Sequence, residues 1–547
     1  MKSKAGLFTG AILVLIAIYT VIWWHQSNRL QDEVTKTLAD MSKRDGSSAV
    51  LTYDKVVRGG YPLDVDLIFT NPKLVEKESK IEIAHQGTVK IGRAIFQPEK
   101  VWVKSEGKTA FNLPKEATGD EDQHYIVDGK IFYKCVGCGS HIHLVNNEFV
   151  SDLTLDQWIP IVLSDSLLEL KDFSVARSAK EPTDFHDFLK IGKGFIKTKN
   201  TTSGGYNKFQ VKSEFDKISS AVEYHALAHF KELFPDASDE ELKQAFFGFG
   251  EGTWVLEAHG AFPTLDNPFY NSPSFGNLPS FSFVLDKLES RDAYAAYTAK
   301  GGLSFDRNTD KTVKGMIYAD KEVQFTEKLH PKLVDLAKVL GQSIAKNKEM
   351  NPRHAAVAQV LVDKAKQLIP DLARLGVIKS VIDLKSYGKT ADDPNNLISF
   401  NVDLEKLKLE SNLFQFNATG KVGFPEDKDS SATFNLQLKQ YKELFNALLK
   451  YYTRWQTSLQ KVKTASQLPV ITSKYVERIE QFLQSLSTTS RADELDIRFV
   501  YQDPGKAQIG KKSMQEVMMA WTQLMADLKA EFERANPSLK PQGASEK

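Results

Sequence analysis

Four residues with metal-ligand chemistry lie close together in "KIFYKCVGCGSHIHLV", residues 130–145. Cys135, Cys138, His141 and His143 have the spacing C-x2-C-x2-H-x-H, and they are ligand types that zinc prefers. On a strand, His141 and His143 share one face, so both rings can address a single ion. All four sit in one short cluster, whereas a usual zinc site joins such a cluster to a second one distant in sequence. The chain has only these 2 cysteines, so no second pair exists. In an oxidising compartment the simpler outcome is a Cys135–Cys138 disulfide across a glycine-containing turn. A thioredoxin-like redox centre needs its first cysteine at a helix N-terminus, and here strand-like segments flank the motif. The disulfide is therefore the preferred expectation, with zinc as the alternative and no other cofactor.

Other candidate motifs are weaker. His225 and His229 in "EYHALAHF" are four apart, but the metalloprotease pattern needs a glutamate where Ala226 stands. "GKAQIGKKS" (505–513) approaches a phosphate-binding loop through Gly505, Gly510 and Lys511, yet Lys512 replaces the magnesium-binding hydroxyl. A turn followed by a helix cap is the expectation there. The chain has no G-x-S-x-G elbow. Met514, Met518, Met525 and Trp521 fall at helical spacing and are expected to form helix core.

Which side of a membrane the cysteines occupy follows from the N-terminus. "LFTGAILVLIAIYTVIWW" (7–24) is uncharged. At ~1.5 Å per residue its length approaches the ~30 Å hydrocarbon core of a bilayer. Lys2 and Lys4 precede it, which predicts a cytoplasmic N-terminus and an exported body. Trp23 and Trp24 stand where an interfacial aromatic belt belongs. No small-x-small cleavage site follows, so the run is expected to remain as a single-pass anchor over 1–27. Leu30, Val34 and Leu38 keep helical spacing and predict a stalk over 28–49. Lys+Arg 71 against Asp+Glu 70 gives a net charge of +1, so charge offers no reason to propose nucleic acid. With 41% hydrophobic residues in 547, the chain can build more than one sizeable core.

The body alternates apolar and polar residues in strand fashion, with "RGGYP" (58–62) as a turn between two strands. Residues 50–261 are read as a β-rich N-terminal domain. Ser238 and Glu241 form an expected capping box, and the proline-rich stretch 262–281 marks a boundary. Beyond it comes an internal repeat. At one constant offset, Leu285 pairs with Leu404, Leu288 with Leu407, Ala299 with Ala418, Gly301 with Gly420 and Phe305 with Phe424. The repeat predicts two β-β-β-α-α-β units, 281–388 and 399–503, followed by a C-terminal helix and tail over 504–547. The fold class expected is α+β: a transmembrane helix and an extended antiparallel sheet with helices packed on it.

Gly60-Tyr61-Pro62, with Ala299-Lys300-Gly301 and Ala418-Thr419-Gly420, resembles bacterial envelope proteins grouped under domains of unknown function. In those, a signal anchor precedes β-rich stretches with a "GYP" or "GFP" turn and "A-x-G-x-L" strands. The resemblance implies an inner-membrane anchor and a periplasmic body, and brings no catalytic residues. In strand style the chain is also similar to AsmA-like proteins, which are implicated in envelope lipid traffic. The expectation is a non-enzymatic periplasmic protein that binds a lipid or another envelope component. The alternatives are an assembly factor that docks envelope proteins, and a metal-dependent enzyme built on residues 135–143.

Overall fold

The computed structural model describes chiefly residues 2–41, 49–136, 165–220, 251–263, 280–335, 376–390, 397–443, 473–502 and 506–535, apart from short loop segments within those ranges. Cys138, His141, His143, His225 and His229 lie outside the described residues, as do most of the helical segments expected after each third strand of the repeat. The chain divides into two units. Unit 1 comprises Met1–Thr201, Lys208–His229 and Phe247–Glu257, and unit 2 comprises Thr202–Asn207, Phe230–Phe246 and Ala258–Lys547.

Unit 1 opens with α1 (Lys2–Met41), in which the apolar run and the stalk form one helix. Among the described residues no helix is long and apolar enough to cross a membrane. The side chains of residues 1–15, which carry half of the run 7–24, are outside that description. The strands β1 (Ala49–Thr52) and β2 (Lys55–Gly59) pair with β4 (Lys73–Glu76) and β3 (Asp64–Thr70) in one continuous hairpin. Gly60, at φ 89°, turns it, and the Asp64 amide donates to the Gly60 carbonyl at 2.9 Å. Both β3 and β4 pair with β5 (Glu82–Ala94). An antiparallel meander follows through β6 (Lys100–Leu113), β7 (Gln123–Val136), β8 (Asp165–Ser178) and β9 (His186–Ser203). Next come β10 (Tyr206–Ser220), which pairs with β9, and β11 (Gly252–Pro263). Period-two alternation puts Val65, Leu67 and Phe69 on one face, and these three bury against Leu30 of α1.

A line of unusual backbone crosses this meander. Gly87 stands opposite Gly107, and Gly107 opposite Gly129, with φ of 140°, 124° and 131°. The line continues at Asp172, φ 47°, where the β7–β8 register shifts. A Cβ on Gly87 would collide with the Glu106 carbonyl oxygen, and one on Gly107 with that of Gln86. Only glycine fits so close a backbone approach at these angles.

Unit 2 contains β12 (Phe281–Arg291), β13 (Ala295–Arg307), β14 (Thr312–Phe325), β15 (Val377–Thr390), β16 (Leu397–Glu410), β17 (Gln415–Phe424), β18 (Ser431–Lys439) and β19 (Glu494–Tyr501). Every strand in this series pairs antiparallel with the next. The β12–β13 register shifts between Leu285 and Leu288, and the β16–β17 register shifts between Leu404 and Leu407. A two-residue hairpin, β20 (Gln508–Ile509) with β21 (Lys512–Ser513), ends the sheet beside β19.

Two helices complete unit 2, α2 (Ser473–Leu486) and α3 (Met514–Ala535). Ser513 caps α3: the Glu516 amide donates to Ser513 Oγ at 3.3 Å, and Glu516 Oε2 accepts from the Ser513 amide at 2.7 Å. The phosphate-loop lookalike is therefore a tight turn at Gly510, φ 63°, followed by a helix cap. The Ser238–Glu241 capping box is also present. The methionine stripe is a correction. Val517, Leu524 and Leu528 are the buried side of α3, whereas Met514, Met518, Met519 and Met525 are exposed. Helical spacing identifies an apolar stripe but does not say which stripe meets the neighbouring helix. Trp521 contacts Phe482 of α2, ring centroids 5.6 Å apart, and is still about half exposed.

Candidate functional site

The sheet of unit 2 separates its side chains by chemistry. Successive residues point to opposite faces, and the register fixes which of them are neighbours. One row runs Phe283, Leu303, Ile317, Leu384 on β12–β15 and continues Leu404, Gly420, Phe434, Phe499 and Ile509 on β16–β20. A parallel row runs Leu285, Gly301, Ala319, Ile382, Leu407, Ala418, Leu436 and Ile497. Nine strands at ~4.8 Å spacing make the first row roughly 38 Å long. Phe262, Phe281 and Phe305 stack beside it with centroids 6.4 and 6.0 Å apart.

The face is not fully covered. Phe283, Leu303 and Ile317 are 40%, 42% and 44% exposed, and Leu409, Phe424 and Leu436 are exposed as well. Phe283, Leu303 and Ile317 are register neighbours, so the exposed apolar side chains at the β12–β14 end adjoin one another, as at an interaction surface.

The opposite face carries charge in cross-strand pairs: Lys300–Asp320 at 3.5 Å, Lys379–Glu322 at 3.0 Å, Lys385–Glu405 at 2.7 Å and Lys421–Asp403 at 2.9 Å. The hydrogen bond from Lys385 to Glu405 raises the ammonium pKa, and Asp403 does the same for Lys421. These pairs are solvated, and their main consequence is to fix which side of the sheet faces water.

In unit 1 the corresponding apolar row runs Leu67, Ile91, Val103, Tyr133, Leu168 and Ile196. Its β3–β5 end lies under α1. Arg93, almost buried, pairs with Glu33 of α1 at 2.6 Å, and Arg58 donates to Gln31 at 2.6 and 2.9 Å. A cavity of about 260 Å³ remains between Val34 of α1 and Phe69, Leu74, Ile83, His85 and Ile91. That is below the ~300–1,000 Å³ usual for small-molecule sites. His85 is buried beside it, with Nδ1 2.9 Å from Thr109 Oγ1 and Nε2 3.2 Å from the Glu106 carbonyl. Burial lowers its pKa below the ordinary histidine value, so the neutral ring is favoured. Asp66, on the other face of β3, accepts from Trp102 Nε1 at 3.1 Å, and burial raises its pKa.

Of the four residues singled out for metal or disulfide chemistry, Cys135 is described. It lies near the end of β7, 1% exposed, opposite Val101 and Ser166, and it is disulfide-bonded. Among the described residues no group of three or more His, Cys, Asp or Glu is placed to hold a metal. The apolar rows were visible in the sequence as alternation. Their alignment across nine strands depends on register, which no single segment carries. No protein-family model matches the chain, and no curated protein does.

Proposed function

We propose that this is a membrane-anchored envelope protein that binds an apolar ligand, of the lipid acyl-chain class, on the open face of unit 2 without catalysis. The observation that carries the reading is the row through Phe283, Leu303 and Ile317, with its neighbours on β16–β20. The exposed end of the row, on β12–β14, offers an apolar strip against which an acyl chain can lie. The uncharged run 7–24, placed in the inner membrane with the N-terminus cytoplasmic and the body periplasmic, puts such a ligand within reach. The AsmA-like strand style agrees with lipid handling.

The same proposal makes unit 2 the product of duplication, with β-β-β-α-α-β units at 281–388 and 399–503. What supports it is that the register shifts after Leu285 and after Leu404 occur at corresponding positions of the two copies. The bond carried by Cys135 is proposed to close on Cys138, the chain's other cysteine. That leaves His141 and His143 without thiolate co-ligands and removes the zinc alternative. A non-reducing peptide map with elemental analysis tests this: stoichiometric zinc with free thiols would reverse it.

A second reading has its own observation. Met514, Met518, Met519 and Met525 present an exposed, adaptable apolar ridge, a surface suited to docking another envelope protein. A photo-crosslinking residue at Leu303 or Ile317, activated in cells and followed by mass spectrometry, separates the two. Lipid adducts support ligand binding, protein adducts move the reading to an assembly factor, and no adduct at either position overturns binding at this face.

A further inference from the structure

The loop that joins β2 to β3 is fastened to the apolar half of α1. Tyr19 donates from its hydroxyl to the Pro62 carbonyl, and Trp23 donates from Nε1 to the Asp64 carbonyl at 2.8 Å. The Thr20 and Tyr61 hydroxyls are 3.2 Å apart. The Tyr61 ring meets Trp23 edge-on at 5.5 Å, and Tyr19 lies 6.0 Å from Phe96.

Around this fastened loop the surface is apolar and open. Leu63 is 68% exposed, Phe96 72% and Tyr61 49%. Ile18, Val21, Ile22 and Trp24 of the adjoining helix are exposed as well. Leu63 and Phe96 come from different connections, yet both lie beside the same stretch of α1.

We propose that Tyr61, Leu63 and Phe96 enter the interfacial layer of the bilayer that holds α1. The proposal rests on the anchor reading of residues 7–24 and goes beyond it by giving the sheet its own contact with lipid. Three observations argue for lipid as the occupant. First, Tyr19 is four residues before Trp23, so at ~1.5 Å per residue the loop is tied about 6 Å deeper along the helix than that tryptophan. If Trp23 and Trp24 mark the interface, the loop cannot stay in water without breaking its bonds to α1. Second, most of the carbonyls of this loop are satisfied from within. The carbonyls of Gly60, Pro62, Leu63 and Asp64 all accept hydrogen bonds from the protein, as a segment in a poorly hydrating medium requires. Third, the exposed set mixes tyrosine and tryptophan with aliphatic groups, the composition that settles at a headgroup boundary. The consequence is that β2, β3 and β5 rise directly from the membrane surface, with unit 1 held there by the loop as well as by the helix.

The test uses the full chain in vesicles of phosphatidylethanolamine and phosphatidylglycerol, with the native cysteines kept oxidised and the unsubstituted chain as background. Leu63→Cys and Phe96→Cys are labelled with an environment-sensitive fluorophore. Val21→Cys serves as the helix reference and Lys130→Cys, on an exposed sheet position, as the aqueous one. Labels at 63 and 96 are expected to be quenched by nitroxide lipids and shielded from iodide, as at 21 and unlike 130. Iodide quenching at 63 and 96 equal to that at 130, with 21 shielded, overturns the proposal and leaves the anchor standing. Iodide access at 21 as well overturns both. The substituted loop side chains are largely exposed, so the variants do not depend on repacking a core.

Discussion

In unit 1 the row through Leu67 and Ile91 lies under α1, and Leu67 is 1% exposed. In unit 2 the row through Leu303 and Ile317 leaves both more than 40% exposed. Both sheets alternate in the same way, and both carry solvated cross-strand ion pairs, Lys130–Glu106 in one and Lys385–Glu405 in the other. Among the described residues, α1 accounts for the burial at the β3–β5 end of unit 1, and Tyr133, farther along the same row, is 37% exposed. A sheet face packed against a helix becomes core, and its exposed stretches stay available to other contacts.

The sharpest way to break this comparison is a matched truncation. Leu67→Ala is expected to destabilise unit 1 by about 3 kcal/mol through lost burial and a residual cavity, read from hydrogen exchange of the β3 and β5 peptides. Ile317→Ala is expected to cost under about 1 kcal/mol in unit 2, because much of its side chain is already in water. Equal losses would mean that both faces are filled. Between these two in size stands Arg93→Ala, which removes the ion pair that fastens α1 to the sheet. A loss of about 2 kcal/mol is expected in chemical denaturation, since the hydrogen bonds of the nearly buried guanidinium to Glu33 and Gln26 and the packing of its stem are lost, while the Glu33 left behind is half exposed. No change would show that α1 is held by apolar contact alone.

The smallest effect is on pH. The folded-state pKa of His85 lies below its ordinary value near 6.5, so the unfolded chain takes up the proton first as pH falls. The contribution of His85 to stability is therefore complete above pH ~6.5 and is lost as acidification proceeds towards the folded-state pKa. Melts of wild type from pH 7.5 to 5 should decline more steeply than those of His85→Gln. Parallel slopes would remove His85 from the account.

Much of this fold was legible in the sequence, and the illegible parts share a cause. Alternation located the strands of both units, "RGGYP" located the β2–β3 turn, and Ser238 with Glu241 located a cap. The helical spacing of Leu30 and Val34 predicted a helix, but it did not say that the helix would lie on Val65, Leu67 and Phe69. The same gap explains the methionine stripe of α3: apolar spacing names a face and not its partner. Gly87, Gly107 and Gly129 stand inside alternating segments and were not singled out by the sequence, although glycine in a strand interior can mark close backbone approach. Their alignment with one another appears only when the register is known.

The β20–β21 hairpin has a consequence for the outer edge of β19. A strand of 8 residues such as β19 would otherwise offer its outer hydrogen-bonding edge to any other extended peptide, including another copy. The hairpin occupies that edge at Phe499 and Val500, and the Gly510 amide donates to the Arg498 carbonyl at 2.6 Å. Its turn is set against α2 so closely that a Cβ on Gly510 would collide with the Leu486 carbonyl oxygen. The last few residues of the sheet thus cover part of that edge, and a larger side chain at Gly510 would push the hairpin off it.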